Sequence, residues 1–323
     1  MKLKYYEIDE KKLLEAAGND KKISIKMPEA FINYSTTIIQ FFRNNGIEAK
    51  FIADPCYGAC DFLAPPKEKT ICIGEAEMPY LKKVYRNVSF VEAKYNFNLK
   101  FLNGLPELNK RIGLASITPF IHKIEQIKKF LEKQGKKVYI GKKSRRTKYD
   151  GQILGCDFSS ATSIANMVDE FLFIGDGFFH PLGLAIATKK KVIAANPISR
   201  QIESMDKMKE KMMKQRYAAI SLAMDKKKIG IIIGEKLGQR RVELAKKLKK
   251  LAEKNGMEAY LIMADNITPI IDYIDVEFFV STACPRVAID DAKNFKKPML
   301  TPIEFEILIG ERDWNNYEFD QIL

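Results

Sequence analysis

The sequence predicts an α/β protein built from three repeated parallel-sheet βαβ domains arranged around a pseudo-threefold axis. Three observations carry that expectation. Three segments open alike, each predicted helix stops at a glycine, and the predicted strands read as unbroken apolar runs.

Lys22 opens KISIKMPEAFINYSTTIIQFFRNNGIEAKFIA, Arg111 opens RIGLASITPFIHKIEQIKKFLEKQGKKVYIG, and Lys228 opens KIGIIIGEKLGQRRVELAKKLKKLAEKNGMEAYLIM. Each reads as strand, loop, amphipathic helix, glycine turn and second strand. Gly46, Gly135 and Gly256 follow polar residues where a helix C-terminus needs the left-handed conformation. Leu244, Leu248 and Leu251 fall at helical spacing, whereas 229–233 is continuously apolar, as in a parallel strand buried on both faces. A strand–helix–strand unit of this kind closes as a right-handed crossover. Further strands are expected at 70–74, 170–175, 191–195 and 276–281. The units run 1–109, 110–225 and 226–323, and 199–224 is a helical connector into the third. Its methionines Met205, Met208, Met212 and Met213 are expected to pack rather than to touch a cofactor.

A chain of 323 residues suits two or three domains. No apolar run approaches the length of a membrane span, and MKLKYYEIDEKK lacks the apolar centre of a secretory signal, so a cytoplasmic protein with no membrane partner is expected. In that compartment five cysteines point to thiolate chemistry or metal rather than disulfides. The net charge of +13 comes from lysines spread along helical faces such as Lys246, Lys247, Lys249 and Lys250. This is a solvated surface of the heat-adapted sort, and no nucleic-acid motif accompanies it.

A cysteine in a turn is expected after the second strand of each repeat: YGAC at Cys60, LGCD at Cys156 and TACPR at Cys284. Loops at the carboxyl ends of parallel strands build sites in α/β folds. Three thiolates without a fourth protein ligand suit an iron–sulfur cluster that keeps one iron open. Cys72, inside TICIG, belongs to the core; Cys56, four residues before Cys60, is the alternative ligand. Only two histidines are present, so a His-rich zinc site is excluded and a Ser–His–Asp triad would need His122 or His180. His122 reads as a surface or packing residue, and His180 as either a pocket or a structural one. No P-loop or G-x-G-x-x-G helix start is present.

DPCYGACDF, GQILGCDFS, FLFIGDGFFHPLGLAIAT, ACPRVAIDD and KKPMLTPIEFE, in that order, resemble the archaeal diphthamide synthases, which make 2-(3-amino-3-carboxypropyl)histidine. The resemblance spans nearly the whole chain. It implies a 4Fe-4S cluster on Cys60, Cys156 and Cys284 that reductively cleaves the Cγ–S bond of S-adenosylmethionine. The aminocarboxypropyl radical then adds to a histidine of elongation factor 2, the protein partner. It also implies a homodimer and an electron donor. One departure is GEAEMP after a strand of the first unit, where relatives carry Gly-His. Within this reading Arg286 is placed to pair with the substrate carboxylate, and Gln239 either hydrogen-bonds the substrate or caps a helix. Asp290 either orients Arg286 or caps a helix. The competing expectation is a non-catalytic protein of the same architecture, an electron-transfer or partner subunit.

Overall fold

The computed structural model describes residues 1–323. By compactness the chain divides into two units. The first comprises 1–154, 159–177 and 193–203; the second comprises 155–158, 178–192 and 204–323.

The amino-terminal part runs β1 (Tyr6–Ile8), α1 (Glu10–Ala17), β2 (Lys22–Lys26), α2 (Glu29–Ile32), α3 (Ser35–Asn44), β3 (Glu48–Phe51), β4 (Thr70–Ile73), β5 (Val88–Val91) and β6 (Ala93–Tyr95). Asp9 starts α1 by accepting the amide N–H of Lys11 at 3.0 Å and of Lys12 at 3.4 Å, two of the donors a helix start leaves unsatisfied. β2 to β5 form a wholly parallel sheet in the order β3-β2-β4-β5. Ile23, Ile25, Ile71 and Ile73 meet Ile38 and Phe42 of α3 in its core. β1 and β6 pair antiparallel beside it.

The middle part runs β7 (Arg111–Ser116), α4 (Thr118–Ile121), α5 (Ile124–Glu132), β8 (Lys137–Ile140), α6 (Ser159–Thr162), β9 (Glu170–Ile174), α7 (Phe179–Thr188), β10 (Lys191–Ala195), β11 (Ile202–Ser204) and α8 (Asp206–Ala223). Its sheet order is β11-β10-β9-β7-β8. α8 falls inside the expected connector. Met205 and Met212 are buried, and Met208 and Met213 half-buried, in keeping with packing.

The last part runs β12 (Lys228–Gly234), α9 (Val242–Lys254), β13 (Glu258–Ala264), β14 (Phe278–Ser281), α10 (Pro285–Ile289), β15 (Met299–Leu300) and α11 (Pro302–Leu308). The sheet is parallel, in the order β13-β12-β14-β15. α9 buries Ala245, Leu248 and Ala252 and ends where Gly256 takes a φ of +73°, a conformation that glycine adopts without strain. A reciprocal capping box between Thr301 and Glu304 starts α11.

Counted within their own repeats, the first and last sheets place their strands 2-1-3-4 and the middle one 2-1-3-4-5, the flavodoxin-like doubly wound order. In that order the chain reverses direction across the sheet between strands 1 and 3. The protein is therefore α/β with three repeated parallel βαβ sheets, as the sequence predicts. One expectation needs correction. Cys60 and Cys156 follow the second strand of their repeats, β3 and β8, but Cys284 follows the third, β14. The run 265–277 after β13 carries a 3-10 turn at Pro269–Tyr273 and no cysteine. The cysteines are therefore not strictly repeat-equivalent. All three nevertheless lie past the carboxyl ends of parallel strands.

Candidate functional site

In the first unit Cys60 sits half-buried on the loop between β3 and β4. Lys26, a buried residue at the end of β2, donates from Nζ to the Asp61 carbonyl at 2.5 Å and stands 4.8 Å from the Phe62 ring centroid. The Asp61 carboxylate accepts the Tyr57 amide at 2.8 Å. The loop is thus pinned on both sides of Cys60. Cys56 is buried; its thiol donates to the Gly58 carbonyl at 3.9 Å, and a bond from the buried Cys72 thiol of β4 draws its ionisation down. These contacts occupy the buried Cys56, whereas Cys60 is the more exposed of the two. Tyr85 packs on Phe62 with centroids 5.0 Å apart, and its buried hydroxyl has no hydrogen-bond partner. Burial, and then the nearby Cys60 thiol, push the ionisation of that hydroxyl upward. Glu75, the departure from Gly-His, follows β4, and burial pushes its carboxyl up to about 7.

In the second unit two cysteines lie within electrostatic reach of each other. Burial first, and the Cys156 thiol next, push the Cys284 thiol up to about 12, while the Arg286 amide and the charges of Arg286 and Arg241 act in the other direction. Arg241 bridges the segments that carry them. It donates to the Thr282 carbonyl at 2.7 Å and the Ala283 carbonyl at 3.0 Å, directly before Cys284. Its other face holds Asp320 through two bonds of 2.8 and 2.6 Å. The strand of chain after Asp320 then grips the other cysteine. The Gln321 side chain accepts the Phe158 amide, and the Ile322 amide donates to the Cys156 carbonyl, each at 2.8 Å.

Gly155 is required beside Cys156, because a Cβ there would lie 2.6 Å from the Phe179 ring; it would also stand 3.6 Å from Nε2 of His180. Burial, and then Arg286, drive the His180 imidazole down to about 4, so it is neutral at physiological pH. His180 is therefore part of this neighbourhood, one of the two readings that the sequence leaves open. His122 is instead half-buried and edge-on to Phe97, 6.3 Å between centroids, a packing role.

The remaining expected residues divide. Arg286 is exposed, with Nε 3.3 Å from Asp290 on the next turn and 3.9 Å from Asp291. Asp290 thus orients Arg286. Gln239 is not a helix cap, since Arg241 occupies that position before α9. It is buried in the turn after β12, with its amide bonded to the Lys236 carbonyl at 2.8 Å, and its Cβ lies on the side of Gly234 that faces Ala283. Arg241, Asp320 and Gln321 carry no sequence signal. Their partners are 41 to 163 residues away along the chain, and no local pattern reports such contacts.

No three His, Cys, Asp or Glu side chains converge as one metal ion would require. The soft sulfurs that lie together are instead those of Cys156 and Cys284. The Cys156 thiol stands close enough to Cys284 to hold back its ionisation, beside two arginines. Such a set fits a multinuclear iron–sulfur group, which takes one thiolate per iron and stabilises the anionic sulfurs.

The model of the diphthamide synthesis protein family matches residues 27–319. The chain belongs to that family. A curated relative from Pyrococcus horikoshii, named 2-(3-amino-3-carboxypropyl)histidine synthase, is 36% identical over 94% of this chain and 89% of its own length. The enzyme of the same name from Methanocaldococcus jannaschii is 31% identical over 88% and 82%. The crystal structure of Dph2 from Pyrococcus horikoshii with a 4Fe-4S cluster superposes with a TM-score of 0.86 at 34% identity, covering 99% of this chain and 95% of that one. This family member is thus an enzyme of diphthamide biosynthesis. None of its helices is long and apolar enough to cross a membrane.

Proposed function

We propose that this enzyme transfers the 3-amino-3-carboxypropyl group of S-adenosylmethionine to a histidine of elongation factor 2, with Cys60, Cys156 and Cys284 holding a 4Fe-4S cluster. The observation that carries the proposal is the Cys156–Cys284 pair, braced from both sides by Arg241 and the chain terminus in a member of this family. The occupied, buried Cys56 favours Cys60 as the third ligand. The three repeats are taken as 1–109, 110–225 and 226–323, one doubly wound sheet in each, disposed about a pseudo-threefold axis.

When bound, the cluster supplies the electron that cleaves the Cγ–S bond and releases methylthioadenosine and an aminocarboxypropyl radical. The chain's own residues position the reactants. Arg286, already aligned by Asp290, pairs with the substrate carboxylate; Gln239 hydrogen-bonds the substrate beside Ala283. Neutral His180 adds no positive charge next to the sulfonium. The substrate works in translation, so the enzyme is placed in the cytoplasm, as a homodimer served by an electron donor.

Anaerobic incubation of the reduced protein with S-adenosylmethionine tests this directly. The expected product is methylthioadenosine, and one histidine of elongation factor 2 gains the aminocarboxypropyl mass. 5′-Deoxyadenosine with methionine, or S-adenosylhomocysteine, would replace the proposed reaction by another. No cleavage at all would favour a non-catalytic subunit. Arg286→Lys should weaken S-adenosylmethionine binding about ten- to hundredfold with full iron content, because a bidentate charged bond is lost.

A further inference from the structure

The outer edge of the third sheet is unlike the others. β13 is seven residues long, whereas the outermost strands β3, β5, β8, β11 and β15 have two to four. Proteins blunt open edges with short strands, prolines, bulges or inward charges. β13 carries no proline, and Glu258 is its only charged residue.

Its hydrogen bonding shows which groups are open. The Glu258 amide donates to the Lys227 carbonyl at 2.8 Å, and the Ala264 carbonyl accepts the Glu235 amide at 3.0 Å. Both residues therefore turn their backbone toward the β12 side. Backbone direction alternates along a strand, so Ala259, Leu261 and Met263 present their N–H and C=O groups outward. No other strand or bridge pairs with them. The side chains are open as well: Tyr260 is 47%, Leu261 39% and Met263 52% exposed.

Between this edge and α9 runs a groove of about 680 Å³ with Leu251 and Leu261 among its lining residues. Lys246, Lys247 and Lys249 are matched to Glu243, Glu306 and Glu253. Lys250 and Lys254, one helical turn apart on the same groove, make no ion pair. Two uncompensated ammonium groups thus flank an unpaired apolar strand.

We propose that β13 is the docking edge for a partner protein that adds an extended acidic segment to this sheet. Its carboxylates would lie on the α9 side, against Lys250 and Lys254 and over Leu261. The alternate, apolar side chains would lie on Tyr260. Strand addition supplies main-chain bonds for affinity and side-chain alternation for selection. Charge decides the occupant: a second copy paired across this edge would bring like-charged lysines together, whereas an acidic segment neutralises them.

The test uses the full chain and two capped heptapeptides, Glu-Val-Glu-Val-Glu-Val-Glu and its lysine counterpart, followed by amide NMR. The acidic peptide should shift the amides of Ala259, Leu261 and Met263; the basic one should not. Met263→Pro removes one outward N–H while leaving the pairing to β12, and should weaken binding roughly tenfold. The double variant Lys250→Glu, Lys254→Glu should abolish the preference for the acidic peptide. Equal binding of the two peptides, or wild-type affinity in Met263→Pro, would overturn the proposal. So would a wild-type dimer that Met263→Pro dissociates, since a second copy would then own the edge. Failure here would leave the transferase reading untouched, because no step of the test reads activity.

Discussion

Cys60 rides on a loop held by its own neighbourhood, Lys26 and Asp61 being its main ties. Cys284 follows a strand end that Arg241 grips at two carbonyls, and the same arginine secures Asp320 and so the chain that grips Cys156. The first neighbourhood contains an unpartnered tyrosine hydroxyl and a carboxyl displaced to about 7. In the second, the buried charges are paired and the backbone groups beside the cysteines are bonded. The contrast teaches that the groups around Cys156 and Cys284 are bonded without any cluster, while those around Cys60 are left partly unsatisfied. A cluster held as proposed would therefore do more folding work at the Cys60 end.

The largest effect expected is on iron. Replacing Cys60, Cys156 or Cys284 by Ala should each remove or cripple the cluster, whereas Cys72→Ala should leave iron content unchanged. Loss of iron in Cys56→Ala together with its retention in Cys60→Ala would reverse the assignment at the Cys60 end.

Next is the brace itself. Arg241→Ala leaves the buried Asp320 carboxylate unpaired and should cost about 3–5 kcal/mol by denaturant titration. Arg216 and Glu304 form a second buried pair, with bonds of 2.7 and 2.6 Å. Arg216→Ala should cost a similar amount, yet only Arg241→Ala should also slow cluster incorporation. Equal incorporation in both variants would deny the brace any special place.

Glu75 probes the opposite end. Its folded value lies above the ordinary 4.5, so the folded state holds the proton more tightly. The associated stability is fully present below 4.5 and lost as pH rises through about 7. Glu75→Gln stays neutral, and near pH 8 it should gain on the order of 2–3 kcal/mol over the parent; near pH 4 the gap should close. A gap that does not change with pH would show that Glu75 is well solvated.

The smallest change expected is in Tyr85→Phe. Removing a buried hydroxyl without a partner should stabilise the iron-free protein by about 1 kcal/mol. Destabilisation of that size would mean that the hydroxyl has a partner, and the contrast between the two ends would shrink accordingly.

Much of this molecule is written locally. Apolar runs such as 229–233, the periodicity of α9 and glycines at helix ends made three parallel α/β repeats legible, because strand burial and helix amphipathicity depend on neighbours a few residues away. YGAC, LGCD and ACPR exposed the cysteines for the same reason, as did the placement of Asp290 four residues after Arg286. Other features depended on chain segments far apart. That Cys56 turns to Cys72, that His180 joins the Cys156 neighbourhood, that Gln239 precedes the helix start and that Cys284 follows a third strand were decided by packing. The Arg241–Asp320 brace was decided the same way. A residue's type limits which bonds it makes, but only the folded chain determines which distant group stands within reach.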